Sequence, residues 1–175
     1  KHKYILNGLL FGAAIGTGFA VFESAGYAQD ALILGLIKTN GWQNFFAQGG
    51  AGFLNTAILN RAWLSPFGHV VWTAIAAGAV WRVKKDGVFE LRMLDRTFWK
   101  TFLVPVVCHM TWDSPIAMGT QPGILNYLVT LGLGALSWFV AFGLVQQGLK
   151  QVRTMQSQVS VPDAVPQAVA AASTT

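Results

Sequence analysis

The sequence predicts an all-α protein, a polytopic transmembrane helical bundle with about four spanning helices and one interfacial amphipathic helix. Of its 175 residues, 53% are hydrophobic and only 11% are charged, and the mean hydropathy is +0.47. Soluble domains usually carry about 25% charged residues, so this balance indicates a lipid environment. The 19 glycines agree with it, because small residues allow close helix packing in membranes.

Four apolar segments are predicted to span the bilayer, and they cover residues 4–27, 65–83, 98–112 and 123–145. The second segment begins at Ser65-Pro66, a good N-cap followed by proline at the first helical position. The third segment is short for a span, and Pro105 is expected to bend or open it.

The linker between the first two spans is neither a clean span nor a polar domain. Asp30 is expected to cap a short helix that ends at Ile37, and Thr39-Asn40-Gly41 is expected to form a turn. Apolar residues from Trp42 to Ile58 then recur at loosely helical spacing, which predicts the interfacial amphipathic helix.

The basic residues predict the orientation of the bundle. Ten of the 12 Lys and Arg residues lie before the first span, between the second and third spans or at their facing ends, or after the fourth. The positive-inside rule places these regions, and both ends of the chain, in the cytoplasm and leaves only Lys38 and Arg61 outside. The net charge of +5 therefore reflects topology, and we expect no nucleic-acid partner. Residues 151–175 lack periodicity and are predicted to be a disordered cytoplasmic tail behind a bundle of residues 1–150.

Ionisable side chains inside a span cost at least ~2.5 kcal/mol each on insertion scales and indicate function by default. Four such residues lie in or at the ends of the predicted spans, namely Glu23, His69, His109 and Asp113. A rise of about 1.5 Å per helical residue puts all four between mid-bilayer and the outer surface. We therefore expect them to form one polar site near the outer side of the membrane.

A lane of small residues predicts which face of the first span is buried. Gly8, Gly12 and Gly16 repeat every four residues, so another helix can approach this lane closely. Glu23 lies within about 20° of the same face. It should therefore face protein rather than lipid.

Two chemistries suit this set of side chains. A carboxylate can take a proton from water while an imidazole orients or donates, and this is our leading hypothesis. Alternatively, Glu23, His69 and His109 could bind a divalent metal such as zinc. The sequence contains no HExxH helix and no GxSxG turn, which weakens the common zinc-protease and serine-hydrolase alternatives.

Three segments resemble, in order, motifs of the PrsW family of intramembrane proteases, which is related to the CAAX-processing and bacteriocin-processing membrane proteases. Residues 16–24, Gly-Thr-Gly-Phe-Ala-Val-Phe-Glu-Ser, are similar to the family's GxGFAxxEN segment. Arg61 together with residues 66–73, Pro-Phe-Gly-His-Val-Val-Trp-Thr, is similar to its R…PxxHxxxT pattern. Residues 109–113, His-Met-Thr-Trp-Asp, are similar to its HxxxN/D pattern. The resemblance covers most of residues 7–115.

The sequence departs from the family pattern in two places. Ser24 stands where the family usually has asparagine. The family's EExxK helix has no counterpart, because Glu23 and Glu90 are the only glutamates in the sequence. We expect this motif to lie upstream of Lys1, and a catalytically incomplete protein is the alternative.

The resemblance implies a multi-pass protease of the inner membrane that cleaves a membrane-anchored protein, such as an anti-sigma factor, on the extracytoplasmic side. We expect Glu23 to act with His109 on water, His69 to stabilise the oxyanion, and Asp113 to orient His109. Two other classes stay open. One is a scaffold that captures a partner's transmembrane helix through Gly12 and Gly16, and the other is a proton or metal-ion carrier.

Overall fold

The computed structural model describes residues 4–84, 95–114 and 124–159. Within these ranges the chain forms helices and turns without strands, which confirms the predicted all-α class. The α-helices are α1 (Ile5–Lys38), α2 (Trp42–Phe45), α3 (Gly50–Leu64), α4 (His69–Val83), α5 (Arg96–Trp112) and α6 (Ile124–Val159). A short 3₁₀ helix, Ser65–Phe67, joins α3 to α4.

Helix α1 is longer than the predicted first span. It runs unbroken for 34 residues, or about 51 Å, whereas a bilayer core is about 30 Å thick. Asp30 therefore lies inside this helix, and the prediction that it caps a separate helix is wrong. The predicted turn at Thr39-Asn40-Gly41 is confirmed, with φ angles of 57° at Asn40 and 102° at Gly41. Glycine is the residue that adopts such an angle without strain.

In the described part of the chain, three helical segments are long and apolar enough to cross a membrane, namely Ile5–Lys38, Gly50–Val83 and Ile124–Gln158. The second segment joins α3, the 3₁₀ helix and α4, so the predicted interfacial helix leads directly into the predicted second span. Helix α5 has 17 residues, about 26 Å, which is shorter than a bilayer core of roughly 30 Å. It continues through Pro105 as one helix, so the predicted opening there is absent. The helical membrane bundle is confirmed.

The packing of α1 against α4 organises the bundle. Gly8, Gly12 and Gly16 are buried on the face of α1 that meets α4. A Cβ atom added at Gly16 would lie 2.5 Å from the carbonyl oxygen of His69, and one added at Gly12 would lie 2.7 Å from the Cα of Ala74. Only glycine lets the two backbones come this close, as in other membrane helix pairs. The lane therefore places the first residues of α4 directly against α1.

Helix α4 also contacts α5 and α6, and these helices share one hydrophobic core. Its fully buried members include Ile75 of α4, Cys108 of α5 and Leu144 of α6. Helix α6 continues to Val159, so it extends past the boundary at residue 150 where the sequence predicts the disordered tail to begin. Residues 160–175 of that predicted tail lie outside the described residues.

Candidate active site

The ends of three helices bring the four predicted site residues together. His69 is the first residue of α4, His109 lies in the last turn of α5, and Asp113 is the C-cap of α5. Glu23 lies on α1, seven residues after Gly16. Because helical Cα–Cβ bonds tilt toward the N-terminus, its carboxylate reaches back toward the level at which α1 passes His69.

The four side chains form a continuous row of polar contacts. A carboxylate oxygen of Glu23 lies 3.1 Å from Nδ1 of His69. Nε2 of His69 lies 3.0 Å from Nε2 of His109. Nδ1 of His109 in turn lies 3.5 Å from Oδ2 of Asp113. The two imidazoles therefore meet through their Nε2 atoms, and each Nδ1 atom faces a carboxylate.

Arg61 of α3 closes one end of this row. Its guanidinium forms a salt bridge with Glu23, and its Nε donates a hydrogen bond to Oγ of Ser24 at 3.1 Å. The guanidinium also lies 4.0 Å from the centroid of the Tyr27 ring. The planar fork of arginine suits a carboxylate and can stack on an aromatic ring at the same time. Arg61 thus ties α3 to α1 and holds Glu23 beside His69.

An aromatic wall supports the two imidazoles. The Trp72 ring lies edge-to-face with both, at centroid distances of 5.5 Å from His69 and 5.3 Å from His109. The ring of Phe19 lies 5.0 Å from that of His69. Trp72 is itself buried, and its indole N–H donates to Oγ of Ser137 on α6 at 2.9 Å. The orientation of the imidazoles is therefore set by packing as well as by their polar partners.

A small cavity of about 40 Å³ lies beside His69, with a lining that includes Arg61, Trp72 and Trp112. One water molecule needs roughly 10–15 Å³ on this measure, so the cavity has room for water but not for a peptide. The other end of the row is more open. The side chains of His109 and Asp113 are 43% and 57% exposed, whereas that of His69 is 15% exposed.

A family model described as "PrsW family intramembrane metalloprotease" matches residues 2–131, a range that contains the whole row. The chain belongs to the PrsW family. This membership confirms the resemblance carried by the three sequence motifs and identifies a membrane protein of a protease family. No curated protein and no solved structure shows a significant match to the chain.

The description of the PrsW family implies a metal ion, and part of the donor set fits one. Two imidazole nitrogens bound to one tetrahedral zinc lie roughly 3.3 Å apart, close to the 3.0 Å between the Nε2 atoms of His69 and His109. Each Nδ1 faces a carboxylate, the arrangement that orients metal-bound histidines.

The expected third metal ligand is not in place. The carboxylate of Glu23 faces Nδ1 of His69, on the other side of that ring from the Nε2 pair. Among residues 4–84, 95–114 and 124–159, no group of three or more His, Cys, Asp and Glu side chains converges on a metal position. The described residues therefore offer two nitrogen ligands, and a complete site would need further ligands from elsewhere.

The sequence indicated the members of the row better than their pairing. Glu23 was expected to act with His109, whereas its carboxylate contacts His69 and Arg61. The contact between Arg61 and Glu23 was not predicted. A signal for it existed, because Arg61 is one of only two basic residues that the positive-inside rule leaves outside. The hydrogen bond from Trp72 to Ser137 had no such signal in the sequence, because a single hydroxyl in an apolar span is common.

Proposed function

We propose that this PrsW-family chain hydrolyses a peptide bond of a membrane-anchored protein by activating water at the pair of His69 and His109. The observation that supports this most directly is the 3.0 Å approach of the two Nε2 atoms. Each belongs to an imidazole whose Nδ1 faces a carboxylate. Hydrolysis uses one group that takes a proton from water and another that protonates the leaving amine, and two adjacent imidazoles can supply both.

Hydrogen-bond chemistry assigns the ring protons. An ionised Glu23 only accepts, so Nδ1 of His69 is the donor and Nε2 of the neutral ring is an acceptor. Nε2 of His109 is then the donor across the contact between the two rings. The carboxylate of Asp113 near Nδ1 of His109 stabilises the positive charge when that ring carries both protons. The row thus sets a base, His69, next to an acid, His109.

In the proposed reaction, a water molecule replaces His109 as the hydrogen-bond partner of Nε2 of His69, and its oxygen attacks the carbonyl carbon of the peptide bond. Nε2 of His69 takes one water proton. His109 starts with both ring nitrogens protonated. Its Nε2 gives a proton to the amine nitrogen as the C–N bond breaks, which leaves a neutral ring with Nδ1–H toward Asp113, and the proton on His69 then returns to Nε2 of His109. If a divalent metal is bound, His69 and His109 would hold it, and it would supply carbonyl polarisation and an activated water.

This scheme changes two roles that were expected from the sequence. Glu23 is a positioning residue that fixes the tautomer of His69, and Arg61 holds Glu23 in place. His69 is the base rather than the oxyanion partner. Asp113 keeps its expected role beside His109.

Access to the pair favours a membrane-anchored substrate. The cavity beside His69 is too small for a peptide, so the substrate backbone approaches from the exposed side of His109 and Asp113. The neighbouring α5 side chains Val107 and Met110 are 58% and 69% exposed, and they suit the apolar flank of a transmembrane segment. The family resemblance favours an anti-sigma-factor-like substrate, with the site toward the extracytoplasmic side of the inner membrane.

The test is cleavage of a single-span reporter protein by the full-length protein after both are reconstituted into liposomes. Replacing His69 or His109 with Ala should lower the cleavage rate by about 10²–10⁴-fold, the usual contribution of general acid–base groups. Glu23→Gln should also lower it, because an uncharged amide does not stabilise a protonated His69. Asp30→Asn is the matched control, since it neutralises an exposed carboxylate on the same helix, and it should leave the rate unchanged.

Thermal unfolding in detergent shows whether each variant is folded. Unchanged cleavage by both His109→Ala and Glu23→Gln would refute the proposal. The same assay with a chelator separates the two ways in which the pair can activate water. If the chelator abolishes cleavage and added zinc restores it, the histidines act through a bound metal. If cleavage persists in the chelator, the histidines transfer protons directly.

A further inference from the structure

The opposite end of the same helices carries a cationic groove between α4, α5 and α6. The groove has a volume of about 350 Å³. Its polar lining includes Arg82 at the end of α4, and Lys100 and Thr101 near the start of α5. Its apolar lining includes Phe139 and Phe142 of α6. Arg82 lies 13 residues after His69, about 20 Å further along α4, so this groove is separate from the histidine pair.

The charges of the groove have few partners among the residues that the structure describes. Arg82 donates one hydrogen bond to Oγ1 of Thr101 at 2.9 Å, although a guanidinium has five N–H donors. In the described part of the chain, neither Arg82 nor Lys100 forms a salt bridge with a carboxylate. Thr101 is buried, so its hydroxyl anchors one side of the guanidinium while the other side faces the groove.

A second groove lies on the other side of Arg82. It has a volume of about 620 Å³, and Arg82 and Gln147 line both grooves. Its lining adds Lys150 of α6, which forms no salt bridge with any described carboxylate, and the apolar side chain of Met155. Cations thus line a region whose remaining lining residues carry amide, hydroxyl or apolar groups and no carboxylate.

The apolar wall of the groove indicates a lipid rather than a free anion as the ligand. Phe139 and Phe142 are 77% and 61% exposed on α6, a candidate membrane span, so they face acyl chains. A small phosphate would use the cations and leave this wall without a role. An anionic phospholipid uses both, because its phosphodiester lies at the cations and its chains extend along the aromatic side chains. The positive-inside rule accounts for cations at this end but not for a groove between them.

We propose that the groove formed by Arg82, Lys100, Phe139 and Phe142 binds an anionic phospholipid through its phosphate. Each cation near an anionic membrane surface strengthens binding about fivefold. The interaction is partly exposed to water, so it weakens as the salt concentration rises. The proposal does not depend on the protease activity.

The experiment measures lipids that stay bound to the full-length protein by native mass spectrometry. The protein is released from nanodiscs that contain equal amounts of phosphatidylglycerol and phosphatidylcholine. We expect enrichment of phosphatidylglycerol, a loss of about fivefold in Lys100→Gln, and a larger loss in the double variant Arg82→Gln/Lys100→Gln. Arg153→Gln removes an exposed α6 cation outside both grooves and should keep the enrichment.

Lys100→Gln leaves the bond between Arg82 and Thr101 intact, so it tests the proposal even if the double variant fails to fold. Equal retention of both lipids by the unmodified protein would overturn the proposal. So would enrichment that persists in Lys100→Gln, or that falls equally in Arg153→Gln. Complete displacement of the lipid by millimolar inorganic phosphate would show a simple anion site, and would also overturn it.

Discussion

The two ends of the α4–α5 pair carry polar groups in opposite arrangements. At the first end, called the histidine end here, Arg61, His69 and His109 each contact a carboxylate of the protein. At the second, the cationic end formed by Arg82 and Lys100, no described carboxylate makes a salt bridge. Among the described residues, the histidine end therefore pairs its charges internally, whereas the cations of the other end have no carboxylate partner.

This difference arises largely from the helices that reach each end, although α5 itself supplies Asp113 beside His109. Helix α1 brings Glu23 to the histidine end, and α3 brings Arg61. The cationic end instead meets α6, whose contribution to the groove is apolar apart from Gln147. A row whose charges are paired within the protein keeps its geometry at little cost when substrate binds, as a preorganised active site requires. At the cationic end, the proposed partner is instead an anionic lipid of the bilayer.

The largest expected effect comes from separating α1 from the histidine end. In Gly16→Leu the new side chain would meet the backbone of His69 and Val70, so α1 must move away. Overpacking of this kind costs about 1–3 kcal/mol, and a displacement of about 1 Å at an active site lowers the rate by about 10²-fold. The measurements are reporter cleavage in liposomes and thermal unfolding in detergent.

Gly18→Leu is the matched control on the same helix. A Cβ atom at Gly18 has no neighbour within 4 Å, so this variant should keep both stability and cleavage. If Gly16→Leu cleaves as fast as Gly18→Leu, then the glycine lane does not hold Glu23 against His69.

The next effect tests whether the internal charge pairing matters for rate. Arg61→Gln removes the cation from Glu23 and should lower cleavage by about 10–100-fold, by analogy with the loss of groups that orient metal-binding histidines. We expect kcat to fall while KM changes little, because Arg61 acts on the row and not on the substrate. Arg61→Lys should restore part of the rate, since it keeps the charge but not the fork.

Lys38→Gln is the control for Arg61→Gln, because Lys38 is the other basic residue that the positive-inside rule predicts to lie outside. It should leave kcat unchanged. Equal loss in the two variants would mean that the outer positive charge matters only for insertion or lipid contact, and the contrast between the two ends would disappear.

Much of this fold follows from hydropathy and spacing, while its tertiary details do not. The approximate locations of the predicted spans, the glycine lane and the turn at residues 39–41 were predicted, although α1 and α6 run further than expected. The polar sequence around Asp30 indicated that the first span had ended, yet α1 continues to Lys38. Close packing of Gly35 against Phe45 and Gly50 supports this extension, and such a contact cannot be read from local sequence.

The candidate site was also predictable only in part. The depth of a residue in the membrane follows from the helical rise of about 1.5 Å per residue. The depths calculated in this way placed Glu23 at a similar level to His69 and His109. Which imidazole meets the carboxylate depends on helix rotation and on shifts of a few ångströms, which depth does not determine. The role of Arg61 depends on how α3 folds back against α1, a long-range contact across 38 positions of sequence.

The smallest expected effect concerns the support of the two imidazoles from α6. In Ser137→Ala the indole N–H of Trp72 loses its acceptor in a buried position, and an unsatisfied buried donor costs about 1–3 kcal/mol. Thermal unfolding should report this loss. Cleavage should fall by about tenfold or less, because the carboxylates still hold both imidazoles and only the wall behind them loosens.

Thr17→Ala is the control for this comparison, because its hydroxyl makes the same kind of bond to a carbonyl four residues earlier. Thr17 donates to Ala13 at 2.8 Å on an exposed face, whereas Ser137 donates to Leu133 at 2.7 Å and also accepts from Trp72. Thr17→Ala should therefore change neither stability nor rate. If the two variants behave alike, the indole bond does not support the histidine end, and the carboxylates alone orient its imidazoles.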